Sequence, residues 1–156
     1  MKRETLFKHI ATLGPIGYLP VAPGTWGSLA AFIAYVSLRP SVSIHALFVL
    51  FMLPLGIVAS SFAEKALKEK DSRHIIIDEA CGFFVSVLFI PFSIGYVFAA
   101  FFLFRIFDIL KPFPIRKVET AFSGGLGVMA DDIVAGIYAN IIIQIGKLVS
   151  SVFFPV

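Results

Sequence analysis

The sequence predicts an all-α fold: a compact, single-domain helical membrane protein over residues 1–156, with hydrophobic helical hairpins and an acidic cluster at the cytoplasmic interface. Three observations carry that prediction. Of the 156 residues, 58% are hydrophobic and only 15% charged, with 18 phenylalanines. Soluble domains hold about 45–50% apolar and about 25% charged residues, so the composition is that of an integral membrane protein. The apolar residues gather in four blocks, and the basic residues gather in the connectors between them, as the positive-inside rule arranges.

Residues 1–14 carry Lys2, Arg3 and Lys8 beside Leu6, Ile10 and Leu13, which share one face at helical spacing, so an interfacial amphipathic helix is expected. Lys8 and His9 break the apolar stretch and rule out a signal peptide. Residues 28–63 read as a helical hairpin. Its first arm, 28–38, is short for a crossing, which needs about 20 residues. Its second arm, 44–63, is long enough, with a kink expected at Pro54. The third block, 83–104, is a broken helix or hairpin interrupted by "PFSIG" at 91–95. Basic connectors on both sides favour a return at that point, giving two half-depth helices instead of one span. The fourth block, 133–154, is a C-terminal helix, interrupted by Gln144 and by Lys147, which can snorkel.

The net charge of +3 is scattered among loops. With no basic arm or aromatic-interleaved patch, nucleic acid is excluded as a partner. The single cysteine, Cys81, excludes an internal disulfide and reads as a core residue. His9, His45 and His74 lie outside the acidic motifs and read as surface or interface residues.

Five of the ten acidic side chains fall in three motifs: "DEACG" (Asp78, Glu79), "RIFDILKP" (Asp108) and "ADDIVAG" (Asp131, Asp132). Asp78 and Gly82, like Asp132 and Gly136, stand four apart and share a helix face. Each pair is expected to open an apolar helix, where the dipole favours anions, with the glycine admitting a neighbouring backbone one turn later. The plain reading is that these acids are helix caps. A cap needs one carboxylate, however, and both motifs carry two. Clustered carboxylates repel and must be neutralised, and hard oxygen donors without histidine or cysteine point to Mg²⁺ held by Asp78, Glu79, Asp108, Asp131 and Asp132.

Arg105, Asp108 and Lys111 are spaced by three on one side of a helix expected to end at Pro112. Two readings stand side by side: a salt-bridged surface row, or Asp108 on the metal with Lys111 and Arg105 on a phosphate. In "GPIGYLPVAPGTWGSL", residues 14–29, Thr25 or Ser28 is expected to cap the first apolar block. Free N–H groups from Gly24 to Ser28 would then form a phosphate-binding helix start. Trp26 reads as an interfacial anchor.

"PVAPGTWGSL", "IDEACGFF", "FRIFDILKPFPI" and "GGLGVMADDIVAGIYA" together resemble, in order, the phosphatidylglycerophosphatase A family. The resemblance covers most of the chain, residues 17–139. It implies a bacterial, Mg²⁺-dependent, all-helical enzyme of the cytoplasmic (inner) membrane, with its active site facing the cytoplasm. The implied reaction removes the terminal phosphate of phosphatidylglycerophosphate, leaving phosphatidylglycerol among the membrane lipids. The resemblance does not by itself say which carboxylate binds metal and which moves a proton; on the chemistry of the residues, Asp108, Asp132 and Lys111 are expected to be catalytic. Gly24, Thr25, Ser28, Arg105 and Lys111 bind phosphate, and Asp132 is the base for a metal-activated water. A headgroup transferase of the CDP-alcohol type is rejected because neither half of its D-x-x-D-G-x-x-A-R and G-x-x-x-D-x-x-x-D pattern is present. The alternative is a small cation channel or transporter using the acidic cluster, although its carboxylates would be expected mid-span instead of at helix starts.

Overall fold

The computed structural model describes residues 3–153, in which seven α-helices and no strand are found. They are α1 (Arg3–Ala11), α2 (Pro23–Leu38), α3 (Val42–Leu67), α4 (Ile77–Ser86), α5 (Ile94–Leu110), α6 (Ile115–Ala121) and α7 (Gly125–Phe153), with a 3-10 turn at Ile16–Tyr18. Two of them, α3 and α7, are long and apolar enough to cross a membrane. The most apolar stretch of α3 is only 22% buried by the rest of the protein, and that of α7 44%. These helices therefore show most of their apolar surface outward, as lipid-facing helices do and soluble core helices do not.

α1 packs along α3, with Phe7 stacked on Phe62 at 4.8 Å and Ala11 buried. The helix expected over 1–14 stops at Ala11, because Leu13 and Gly14 take left-handed conformations (φ 47° and 66°) that turn the chain away. Residues 1 and 2 lie outside the described residues. α2 begins at Pro23, five residues ahead of the expected start. Ala22 is its cap and Pro23 its first residue, a position for which the fixed proline φ is preorganised. Arg39 in the left-handed region closes α2, and the Ser41 hydroxyl accepts from the Ile44 N–H to start α3. α3 continues through Pro54 without ending.

The third apolar block does break, over residues 87–93, which takes in Pro91 to Ser93 of the expected turn but begins earlier: α4 ends at Ser86 and Gly95 lies inside α5. A residue far along the chain sets the point. Asn140 of α7 brings Nδ2 within hydrogen-bond distance of the carbonyls of Val85 (3.3 Å), Ser86 (3.1 Å) and Leu88 (2.7 Å), at and just beyond the end of α4, where helix carbonyls run out of partners in the helix itself. The chain then returns, so that the start of α4 and the end of α5 line one cavity.

α4 is the centre of the molecule. Every residue in it except Glu79 is buried, and its most extensive packing is against α7. Small residues make this possible. A Cβ on Gly136 would overlap the carbonyl oxygen of Gly82, and a Cβ on Gly82 would lie 2.7 Å from the carbonyl oxygen of Asp132. Two backbones in such contact gain dispersion and carbonyl contacts in a setting where lipid removes the usual hydrophobic drive. Phe83 and Phe104, both fully buried, fill the remaining space.

The return of the chain has a topological consequence. Lys65 and Ser123, both exposed, flank the α4–α5 segment. Cysteines placed there on a Cys81→Ala background should react with an impermeant maleimide from the same side of sealed vesicles. Reaction from opposite sides would show that the segment crosses the bilayer.

Candidate active site

The second acidic pair is not where helix caps sit. α7 starts at Gly125, whose N–H donates to the Ser61 hydroxyl at 3.0 Å after Gly124 turns the chain at φ 66°. The expected helix opening at Asp131 is thus corrected by more than a turn: the glycines, not the acids, begin the helix. Asp131 and Asp132 lie inside α7 and are buried at 9% and 3% exposure. Asp78 and Glu79 do lie in the first turn of α4, where the cap residue is Ile76 and no side chain caps the helix.

The crossing of α4 and α7 brings the two motifs together. Single oxygens of Asp78, Glu79 and Asp132 all lie within 4.8 Å of one another. Asp78 Oδ1, Glu79 Oε2 and Asp132 Oδ1 are buried with no hydrogen-bond partner. Unpaired buried carboxylate oxygens are costly, so three clustered acids that each keep one are the arrangement a cation would complete. The donor set is all hard oxygen, as Mg²⁺ requires. Oxygens sharing one such ion lie up to about 4.2 Å apart, so small side-chain movements would close the set.

The electrostatics agree with the geometry. Burial, then the charge of Glu79 and that of Asp132, push the Asp78 carboxyl well above the usual carboxylate range. Burial and the charge of Asp108 raise Glu79 as well, against a lowering hydrogen bond from Asp78 and the nearby positive charge of Arg105.

These groups form the floor of a cavity of about 220 Å³ that is also lined by Asp108, Lys111 and Asp131. Lys111 ends α5 in the left-handed conformation, which turns its Nζ across to Asp131 Oδ2 at 2.8 Å on α7. The row expected along α5 is therefore only half formed: Arg105 pairs with Asp108 on the same helix, whereas Lys111 faces the acidic pair on another.

Gly24, Thr25, Ser28 and Arg105 stand behind the cavity wall. A Cβ on Gly24 would overlap the Glu79 carboxylate, so this glycine is the surface on which Glu79 rests. Arg105 donates from Nη1 to the Ser28 hydroxyl and from Nη2 to the Thr25 hydroxyl, both at 3.3 Å, while holding Asp108. The expected cradle of free N–H groups is corrected, because the helix starts earlier and the Thr25 N–H donates to the Ala22 carbonyl. The Ser28 hydroxyl donates to the Gly24 carbonyl and does not cap the helix.

Sequence reasoning missed the loop before α4. Asp71, Ser72 and Arg73 line the same cavity, with the Asp71 N–H bound to Glu64 Oε1 at 2.8 Å and the Ser72 hydroxyl to Glu69. The available signal is the charged run "KEKDSRH", two residues ahead of "IDEACG". Of the histidines, His9 is exposed, but His45 is buried at 3% between Tyr35 and Phe84, correcting its surface assignment. His74 binds the Gly17 carbonyl and stacks on Tyr18. Cys81 is buried in the core as expected.

Fold and site together define an all-helical protein, with two helices long and apolar enough to span a membrane and a polar cavity lined by carboxylates. Residues 9–147 match the sequence pattern of the phosphatidylglycerophosphatase A family. A "putative phosphatidylinositol-3-phosphatase" of Bacteroides thetaiotaomicron is 42% identical, covering 96% of this chain and 99% of its own. Proteins named phosphatidylglycerophosphatase A are 39% identical in Haemophilus influenzae (92% of this chain, 95% of that one) and 35% identical in Escherichia coli (88% and 83%). No solved structure matches the chain significantly. The chain belongs to the phosphatidylglycerophosphatase A family, and it is a phosphatase.

Proposed function

We propose that the protein hydrolyses the terminal phosphate monoester of phosphatidylglycerophosphate, yielding phosphatidylglycerol and phosphate, in the bacterial cytoplasmic membrane with its cavity open to the cytoplasm. The observation that carries this reading is the trio of orphaned carboxylate oxygens at the floor of a cavity also lined by Lys111. Asp78, Glu79 and Asp132 would hold Mg²⁺, which when bound supplies positive charge against the phosphate dianion and its transition state.

The chain's own groups do the rest. Lys111 moves between Asp131 and the phosphate, adding a cation where negative charge builds up. Asp132 has a second oxygen to accept the proton of the attacking water. Arg105, fixed by Thr25 and Ser28, holds Asp108 in place at the cavity wall. The exposed phenylalanines and leucines of the helices keep the acyl chains in the bilayer while the headgroup reaches the cavity.

A second substrate, a 3-phosphorylated inositol lipid, is favoured by the name of the Bacteroides relative. Both lipids present a phosphomonoester on a polyol headgroup. The test is to incubate the purified, detergent-solubilised protein with each lipid, with Mg²⁺ or with EDTA, and to measure released phosphate. Release from phosphatidylglycerophosphate that EDTA abolishes is expected. Release only from the inositol lipid would move the substrate, and EDTA-resistant release would remove the metal.

A further inference from the structure

Beside the acidic cavity lies a second one of about 570 Å³, within the size range of ligand sites, and Asp71, Val128 and Asp131 are walls of both. Lys70, in the loop after α3, and Arg116, in the first turn of α6, line the second cavity and are exposed to it. Neither makes an ion pair or a side-chain hydrogen bond among the described residues. The acids that share the cavity are engaged. Glu64 accepts the Asp71 N–H, Asp131 is held by Lys111 at 2.8 Å, and Asp71 has interactions of its own. Of the charged side chains in this lining, Lys70 and Arg116 are the two with neither an ion pair nor a hydrogen bond among the described residues. Phe122, in the same lining, is 47% exposed. The second cavity thus shares walls with the acidic one and adds two basic side chains, with the half-exposed ring of Phe122 as an apolar edge.

We propose that this second cavity is the subsite for the phosphodiester of the lipid substrate, with Lys70 and Arg116 as the residues that bind it. It presupposes the phosphatase activity proposed for the acidic cavity. A phosphatidylglycerophosphate or a phosphorylated inositol lipid carries two phosphates of different kinds. The monoester is removed; the diester joins the headgroup to diacylglycerol and stays. A short polyol separates them, so a monoester seated over the carboxylates puts the diester in the adjoining cavity and the glycerol lipid at the apolar rim. Guanidinium and ammonium donors suit a singly charged diester. Phosphatidic acid, which has a monoester and no diester, would leave the subsite empty. The subsite therefore explains how an enzyme in a membrane rich in other phosphates selects a doubly phosphorylated headgroup.

The test compares wild type with Lys70→Gln/Arg116→Gln in mixed micelles on two lipids, phosphatidylglycerophosphate and phosphatidic acid. Loss of two charge-assisted contacts should lower kcat/KM on phosphatidylglycerophosphate at least about tenfold, chiefly through KM. The rate on phosphatidic acid should not change. Short-chain phosphatidylglycerol, which has the diester alone, should inhibit the wild type and lose at least about tenfold in inhibitory strength against the variant. The charge-preserving variant Lys70→Arg/Arg116→Lys should keep most of the wild-type behaviour. Unchanged KM and unchanged inhibition overturn the subsite, as does an equal loss on both lipids. Failure of the phosphatase reading looks different: the wild type itself would release no phosphate from either lipid, and the subsite would fall with it.

Discussion

Asp78→Asn, Asp108→Asn and Asp132→Asn should each cut turnover at least about a hundredfold, about 2.7 kcal/mol of transition-state stabilisation, the scale of losing one key electrostatic group. Asparagine keeps the shape and removes the charge. At Asp78 the effect on stability separates the site from a helix cap. A cap residue lost from a helix start would destabilise the fold by about 1 kcal/mol. Asp78 is instead buried beside Glu79 and Asp132, and both burial and that crowding disfavour its charged form. The metal-free variant should therefore melt no lower than the metal-free wild type. Mg²⁺ should raise the melting midpoint of the wild type, because a ligand at about a hundred times its dissociation constant adds about 2.7 kcal/mol. It should leave the Asp78→Asn midpoint where it was. Lys111→Met should lose activity while keeping the Mg²⁺ response, since it removes a cation from the cavity and not a ligand. Near-wild-type turnover in all three aspartate variants would return them to a structural role.

Gly136→Val should abolish activity and sharply lower the yield of folded protein. Even the first carbon of the new side chain would overlap the Gly82 carbonyl oxygen, a backbone atom that cannot rotate away. Relief requires α4 and α7 to separate, and overpacking of this kind costs about 1–3 kcal/mol. The separation also reaches the site, because Asp78 lies one turn before Gly82 and Asp132 one turn before Gly136. Gly136→Ala should show the same loss in milder form. Gly146→Ala is the control: nothing lies within 4 Å of a Cβ there. It should leave activity intact and stabilise slightly, as alanine does over glycine in a helix. Equal behaviour of the Gly136 and Gly146 variants, measured by thermal melts and phosphate release, would show that the close approach is not needed.

Much of this architecture was legible because it is written in local patterns. The spacing of Asp78 to Gly82 and of Asp132 to Gly136 announced that two helices would meet backbone to backbone near their carboxylates. The composition announced lipid-facing helices, and the basic connectors on both sides of residues 83–104 announced that the chain would turn back. What was not legible depends on partners distant in sequence. Ser61 on α3 moves the start of α7 to Gly125, and Asn140 moves the end of α4 to Ser86. Thr25 and Ser28 read as caps until Arg105, some eighty positions later (80 and 77 residues apart), takes their hydroxyls. The Asp71–Arg73 loop carries no periodicity at all, so only its folded position gives it a place at the cavity.

The reach of Asn140 to the broken end of α4 also bears on how the protein is made. Synthesis runs from the N-terminus, so α4 and α5 leave the ribosome before α7 exists. Until Asn140 arrives, the carbonyls of Ser86 and Leu88 lack the side-chain donor they have in the finished molecule, while that of Val85 keeps the Leu88 N–H. Such groups do not rest stably in hydrocarbon. The α4–α5 turn is therefore satisfied only once the last helix has packed against it. Asp132 travels on that same helix. The carboxylate cluster and the α4–α5 turn are then completed in one late event, because a chain stalled before α7 lacks both Asp132 and Asn140.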